Sequence, residues 1–262
     1  MKQAICLIQM DITFGDPEAN IKQVKDLMHQ VMKQLNPPHV IVLPELWTTG
    51  YDLKRLPEIS DPDGERTQSL FSRLAKTYQV HIVAGSIPKK SKTGITNTLY
   101  VFNRQGKVVN EYNKAHLIQL MDEHLYLTAG SSLKPFTLDE VVSAGFICYD
   151  LRFPEWIRKA VLNGAEVLYI PAQWPIQRLS HWRSLCIARA IENQCYVIAC
   201  NRSGSDPNNQ FAGHSMVVDP WGEVLAEADE KAAIIQVEID TDQVTKIRST
   251  IPIFADRRPE IY

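Results

Sequence analysis

The sequence predicts a mixed α/β protein, with antiparallel hairpins and β-α units sharing the same sheets. Three observations predict it. Short apolar runs of strand length alternate with amphipathic helical stretches in both halves of the chain. Pairs of short strands joined by tight turns sit between them. No internal repeat, low-complexity tract or Gly/Ser/Pro-rich linker divides the 262 residues, so residues 1–262 read as a single domain. A chain near this size buries roughly three quarters of the surface its unfolded form exposes. It needs neither a disulfide nor a metal to be stable.

The elements follow in order. Residues 4–10 (AICLIQM) read as a strand. Residues 17–35 have helical periodicity, with Ile21, Val24, Leu27, Met28, Val31 and Met32 on one face. HVIVLP (39–44) is a buried strand, 66–78 a helix and VHIVAGSI (80–87) a strand. NTLYVFN and GKVVNEYN, and later HSMVVD and GEVLAEA, are hairpin strands. Their turns, Asn103 to Gly106 and Asp219 to Gly222, place Asn or Asp first and Gly fourth, which is type I chemistry. GFICYD (145–150), EVLYIP (166–171) and CYVIACN (195–201) are strands separated by helices near 154–163 and 180–194. The second of these helices offers Leu185, Ile187, Ala188 and Ile191 for burial. AAIIQVEID (232–240) is a final strand before a short helix. Amphipathic helices must cover one face of each sheet. The pattern fits a four-layer α-β-β-α sandwich and equally admits a three-layer fold.

Composition excludes several classes. The net charge of −2 and pI near 6.4 lack the basic excess that phosphate contacts demand, so no nucleic-acid partner is expected. The opening MKQAICLIQMDITFGD is too short in apolar residues for a signal peptide, and no run approaches a membrane span. A cytoplasmic protein without a membrane partner is expected. The five cysteines are odd in number and follow no disulfide spacing. No Cys-x-x-Cys or suitably spaced histidine pair suggests a metal. Most of these thiols should be small buried hydrophobes.

Three residues stand out as chemistry. Cys148 ends the apolar run GFIC and precedes Tyr149-Asp150-Leu151-Arg152-Phe153-Pro154-Glu155. Pro154 suits the first turn of a helix and Glu155 its positive end. A thiol between strand and helix lies near unpaired N–H groups, which would lower its pKa and could bind an oxyanion. The same position suits a core cysteine. Glu45 follows the apolar strand HVIVL and Pro44; it reads as a cleft carboxylate able to act as general base, or as a surface loop glutamate. Lys114, in EYNKAHL, reads as an ordinary solvated lysine unless a carboxylate and a developing oxyanion flank it. Trp174, Trp182 and Arg189 could line a pocket, and packing explains them equally well. Cys186, Cys195 and Cys200 lie in apolar contexts and read as structural.

Together these segments resemble the nitrilase superfamily of carbon-nitrogen hydrolases. The resemblance rests on LPELWTTGY, YNKAHL, GFICYDLRFPE, ARAIENQCYVIACNRSG, GHSMVVDPWGEVLAEA and the tail DRRPEIY, in the family's order. It implies a four-layer sandwich, a Glu-Lys-Cys triad at Glu45, Lys114 and Cys148, and no cofactor. It also implies a homodimer formed through helices. Glu123, in DEHLYLTAG, matches a second supporting glutamate. The backbone N–H of Tyr149 would share the oxyanion with Lys114. CYDLRFPEW, AQWP and ARAIENQ make the chain look most like the ω-amidase branch, which hydrolyses the terminal amide of small carboxylate-bearing substrates such as 2-oxoglutaramate. Such a substrate needs a cationic anchor. Arg152 is either that anchor or an ion-pair partner of Glu155 or Asp150. Tyr51 and Trp174 are candidate pocket walls, and residues 51–65 and 116–134 the loops around them. N-carbamoyl hydrolysis, another linear amide on the same fold and a non-catalytic scaffold are the alternatives. No papain-type histidine context and no G-x-G-x-x-G after a strand are present.

Overall fold

The computed structural model, described for residues 1–261, stacks two mixed sheets between outer helices. Tyr262, the last residue of the DRRPEIY tail, lies outside the described residues. The first half of the chain builds β1 (Lys2–Gln9), α1 (Pro17–Met32), β2 (Val40–Val42), the short α2 (Leu56–Ile59) and β3 (Asp61–Pro62), then α3 (Glu65–Tyr78) and β4 (His81–Ser91). The hairpin strands β5 (Gly94–Phe102) and β6 (Val108–Asn113) and the one-turn α4 (Glu123–Tyr126) complete it. The second half builds β7 (Phe136–Leu138), β8 (Val141–Gly145), α5 (Pro154–Leu162), β9 (Val167–Ala172), α6 (Leu179–Asn193) and β10 (Tyr196–Asn201). It ends with β11 (Met216–Val218), β12 (Val224–Glu227), β13 (Ala233–Asp240) and α7 (Asp242–Thr250).

The first sheet has the order β13-β1-β2-β4-β5-β6, with β3 also pairing β4; the second runs β12-β11-β10-β9-β8-β7. In each, a parallel centre (β1, β2 and β4; β8, β9 and β10) is flanked by antiparallel strands. Strand alternation sorts the side chains. Ile5, Leu7, Val40, Val42, Val83, Leu99 and Val101 face the second sheet. Their neighbours Cys6, Ile8, Ile41, Ile82, Tyr100 and Phe102 meet Val24 and Met28 of α1 and Leu70 and Phe71 of α3. On the second sheet, Ile157 and Ala160 of α5 and Trp182, Cys186 and Ala190 of α6 cover the other face. The four-layer arrangement is therefore the one adopted.

Local chemistry explains most boundaries. Asp16 caps α1, its Oδ1 accepting from Ala19 N at 3.0 Å, and Pro17 takes the first helical position. The helix stops at Met32, not residue 35, because the apolar face has run out: Leu35 is 95% exposed. Both expected turns close, with Gly106 N donating to Asn103 O and Gly222 N to Asp219 O. Two further expectations change. GFICYD is not strand throughout: β8 ends at Gly145 and Cys148–Arg152 forms a helical turn, held by the Asp150 carboxylate accepting from Ile147 N at 3.0 Å. The buried face of α6 is Trp182, Cys186, Arg189, Ala190 and Asn193; Leu185, Ile187 and Ala188 are half-buried, and Ile191 is 51% exposed. Arg189 and Asn193 turn inward because main-chain carbonyls, of Leu151 and of Arg189 itself, accept their donors.

Candidate active site

The functional side chains gather where the parallel strands of both sheets end. Glu45 lies three residues past β2. Leu43 N still donates to Val83 O, and the chain then swings over Gly85, with Ser86 N donating to Pro44 O. Gly85 has φ +60, and a Cβ there would lie 2.0 Å from Pro44 O, so only glycine admits this crossing. Lys114 directly follows β6; its N–H donates to Asn97 O and its carbonyl accepts from Gly130 N. Glu123 opens α4. Cys148 opens the turn after β8 with φ +45, a left-handed conformation that a side-chain-bearing residue holds only against strain.

Glu45, Lys114 and Glu123 are completely buried, and both carboxylates are bonded to Lys114. Lys114 Nζ donates to Glu45 Oε1 at 2.8 Å and to Glu123 Oε1 at 2.6 Å. Asn97 Nδ2 (2.8 Å) and Tyr51 OH (3.3 Å) also approach Glu45 Oε1, while Gln173 N donates to Oε2 at 2.9 Å. Tyr51 OH donates to Glu123 Oε1 at 2.8 Å, and Ile118 N to Glu123 Oε2 at 2.8 Å. An ammonium has three donors; two are engaged, leaving one for an incoming acceptor. Gln173 is itself fixed. Its Nε2 donates to Glu45 O, and its Oε1 accepts from Nη1 of the fully buried Arg202 at 2.9 Å.

Two carboxylates and one ammonium leave one net negative charge in a dry site. The consequences follow directly. Burial works against the Lys114 ammonium, yet Glu123 and Glu45 more than offset it and hold its pKa above the ordinary lysine value. Burial, against the pull of Lys114, holds the Glu123 carboxyl above the usual carboxylate range. Burial and the Glu45 carboxylate push the Cys148 thiol well above its usual value, although Lys114 and the Gln173 N–H pull it down. The expected lowering of this thiol pKa is thus reversed: nearby N–H groups are outweighed by desolvation and a neighbouring anion. Burial and the neighbouring carboxylate therefore favour the neutral thiol of Cys148 over its thiolate. The Gln173 N–H that donates to Glu45 Oε2 at 2.9 Å thus also favours the charged form of the sulfur.

A tight cavity opens onto Cys148, lined also by Tyr51, Ile118, Met121, Tyr149, Arg152, Gln173, Trp174, Pro175 and Arg178. Its walls come partly from 51–65 and 116–134, as expected. A wider hollow of about 490 Å³, bordered by Phe14, Lys54 and Asn209, shares Tyr51 and Met121 with it and leads outward. Of the sequence-derived residues, Cys148, Tyr51, Tyr149, Arg152 and Trp174 share this cavity; Glu45, Lys114 and Glu123 do not line it and lie behind its Tyr51 and Gln173 walls, to which they are hydrogen-bonded. Tyr51 is more than a wall, since its hydroxyl joins both carboxylates. Arg152 pairs with neither Glu155 nor Asp150 among the described residues; its guanidinium lies over Trp174 at 4.7 Å and reaches His181 Nδ1 at 3.3 Å. Trp182 and Arg189 do not line the cavity. Trp182 packs on Trp174, and Arg189 holds Leu151 O.

Sequence reasoning missed Asn97, Gln173, Asp150 and Arg178. Gln173 carried a signal like that of Glu45: a polar residue directly after an apolar strand. Asp150 anchors the Cys148 turn by accepting from Tyr112 OH (2.6 Å) and His116 N (3.0 Å). All five cysteines are free and buried. No group of three or more His, Cys, Asp or Glu among the described residues could hold a metal.

The two-sheet sandwich, with a thiol on its cavity and a buried carboxylate–ammonium cluster behind the cavity wall, is the arrangement of a carbon-nitrogen hydrolase. The chain belongs to the carbon-nitrogen hydrolase family, whose model matches residues 4–249. It is 52% identical, over the full length of both chains, to the 2-oxoglutaramate amidase of Bacillus subtilis (strain 168). It is 33% identical to Omega-amidase YafV of Escherichia coli (strain K12), covering 96% of this chain and 95% of that one. Among solved structures it is similar to a CN-hydrolase superfamily protein of Xanthomonas campestris (TM-score 0.92, 27% identity, 98% of both chains). It is also similar to Saccharomyces cerevisiae Nit3, of branch 10 of the nitrilase superfamily (TM-score 0.91, 26% identity, 100% of this chain and 97% of that one). The protein is a hydrolase of amides.

Proposed function

We propose that the protein hydrolyses the terminal amide of a small ω-amido acid, with 2-oxoglutaramate as the leading substrate, through a thioester on Cys148. The observation that supports it most is the buried Glu45–Lys114–Glu123 cluster behind the Tyr51 and Gln173 walls of a cavity lined by Cys148 and by arginine. The 52% identity to a 2-oxoglutaramate amidase points to the same substrate class.

The chemistry balances within the cluster. Sγ of Cys148 attacks the amide carbon as its proton passes to Glu45, so no extra charge enters the dry site. The carbonyl electrons move to oxygen, which takes the free donor of Lys114 and the N–H of Tyr149. Each such donor is typically worth about 3–4 kcal/mol at the transition state. Collapse breaks the C–N bond; Glu45 returns its proton to the leaving ammonia and the thioester remains. Glu45 then takes a proton from water, whose oxygen attacks the thioester. The C–S bond breaks, the acid departs and the thiol is restored. Glu123 and Tyr51 keep Lys114 charged and aimed. No cofactor enters any step.

This reading also takes the enzyme to be a cytoplasmic homodimer without a nucleic-acid or membrane partner. No helix among the described residues is long and apolar enough to cross a membrane. Ile191 of α6 and the neighbouring Trp221 leave an apolar outer face for a second copy, which light scattering would test.

Ammonia release tests the substrate. It should be fastest from 2-oxoglutaramate, weaker from glutaramate and negligible from an N-carbamoyl amino acid or a simple nitrile. The Cys148→Ala protein should release none. Faster release from the carbamoyl substrate, with carbon dioxide, would move the protein to that alternative chemistry.

A further inference from the structure

Two arginines, Arg152 and Arg178, line the Cys148 cavity, and the sequence points only to Arg152. Arg178 lies on the helical turn Ile176–Arg178, between β9 and α6. That turn is pinned at both ends. Ile176 N donates to Gln210 O at 2.9 Å, and Arg178 O accepts from Trp174 Nε1 at 2.7 Å. The backbone of Arg178 is therefore fixed to the Trp174 wall, and its side chain borders the same cavity as Cys148. Among the described residues neither Arg178 nor Arg152 has a carboxylate partner. Arg152 is packed over Trp174 and beside His181.

Charge placement then has a direction. The buried cluster behind the Tyr51 and Gln173 walls, from Glu45, Glu123 and Lys114, carries one net negative charge. Arg152 and Arg178 add two positive charges among the residues that line the cavity. A substrate carboxylate is repelled by the cluster and attracted by the two arginines, which leaves its amide end for Cys148. A second guanidinium also matches a 2-oxo acid, whose carboxylate and adjacent carbonyl offer more acceptor positions than one planar fork satisfies. The wider outer hollow is a poor anion site, since Asp52 and Asp122 border it alongside Lys54.

We infer that Arg178 is a specificity-determining residue, clamping with Arg152 the carboxylate end of the substrate. The inference rests on the ω-amide reading above. The test compares wild type, Arg178→Met and Arg178→Lys on 2-oxoglutaramate, glutaramate and valeramide, a neutral amide of the same chain length. Inhibition by glutarate is measured in parallel with valeramide as substrate. Arg178→Met should raise KM for both anionic amides by about tenfold or more with kcat little changed. Its KM for valeramide should stay at the wild-type value, and Arg178→Lys should recover part of the loss. Glutarate inhibition should weaken by the same factor. Equal KM changes for anionic and neutral amides, or none for either, would overturn the clamp. If wild type prefers valeramide to every anionic amide, the ω-amide reading fails. The glutarate series still decides then whether Arg178 holds a carboxylate.

Discussion

Replacing Glu45 with Gln separates two properties that usually travel together, the ionisation of the nucleophile and the rate of turnover. The glutamine keeps the shape and removes one negative charge from beside Cys148. In the wild-type site that charge is the second cause, after burial, of the raised thiol pKa. As a like charge close to the sulfur, it opposes formation of the thiolate. The Glu45→Gln thiol should therefore ionise at lower pH. Iodoacetamide should alkylate Cys148 faster in the variant than in wild type at pH 7.5. Turnover should move the other way. In the mechanism proposed above Glu45 carries the proton to ammonia and from water, and its loss should cost about 10²–10⁴-fold in kcat. The assays are ammonia release and the pH dependence of alkylation, read on the Cys148 peptide by mass spectrometry. Slower alkylation combined with slower turnover would refute the electrostatic reasoning, because it would mean that Glu45 activates the resting thiol rather than suppressing its ionisation.

Three further outcomes are expected. Lys114→Met strands two carboxylates in the interior and should lower folding stability by about 3–5 kcal/mol, seen as a lower urea midpoint; a midpoint within error of wild type would contradict the buried cluster. Gly85→Ala places a methyl on Pro44 O in a left-handed conformation, so it should cost at least 1–2 kcal/mol from backbone strain alone and depress activity by displacing Glu45; an unaffected variant would show that the crossing is not tight. Burial pushes the thiols of Cys6 and Cys195 up to about 12 from 9.0. In the unfolded chain they ionise first, so their contribution is intact below pH 9 and is lost as pH rises toward 12. Each should remove about 1.4 kcal/mol per pH unit in that window. Melting temperatures from pH 8 to 10 should fall less steeply in Cys195→Ala than in wild type, and parallel slopes would contradict the assignment.

How far the sequence reveals this site depends on how local each signal is. Glu45 and Cys148 were legible because each puts a reactive side chain at the end of an apolar run, where a sheet meets its cleft. Lys114 and Glu123 became legible only through the family resemblance, since each alone looks like a solvated charge. Arg178 looks the same way, and nothing in IQR reveals that its turn is tied to Trp174. The thiol pKa came out reversed because a local feature, the N–H groups of a helical turn, was weighed without Glu45, which lies 103 positions earlier in the sequence. The Asp150 anchor was hidden for the same reason, its partner Tyr112 being distant in sequence. In the fold, the β7–β8 hairpin was missed because its two turn residues, Asp139 and Glu140, both take positive φ without the Asn-Gly or Asp-Gly pair that ordinarily marks such a turn. The inner face of α6 was misread because Arg189 and Asn193 are polar yet buried. Apolar periodicity sees only half of such a face.

The central claim is an acyl-enzyme on Cys148, and partitioning with hydroxylamine tests it most directly. The amide and the methyl ester of the same acid would be turned over in increasing hydroxylamine, and the ratio of hydroxamate to free acid measured for each. One thioester common to both substrates requires the same ratio from amide and ester at every hydroxylamine concentration, with neither product formed by Cys148→Ala. Different ratios, or hydrolysis by the alanine variant, would mean that water attacks the amide without passing through Cys148.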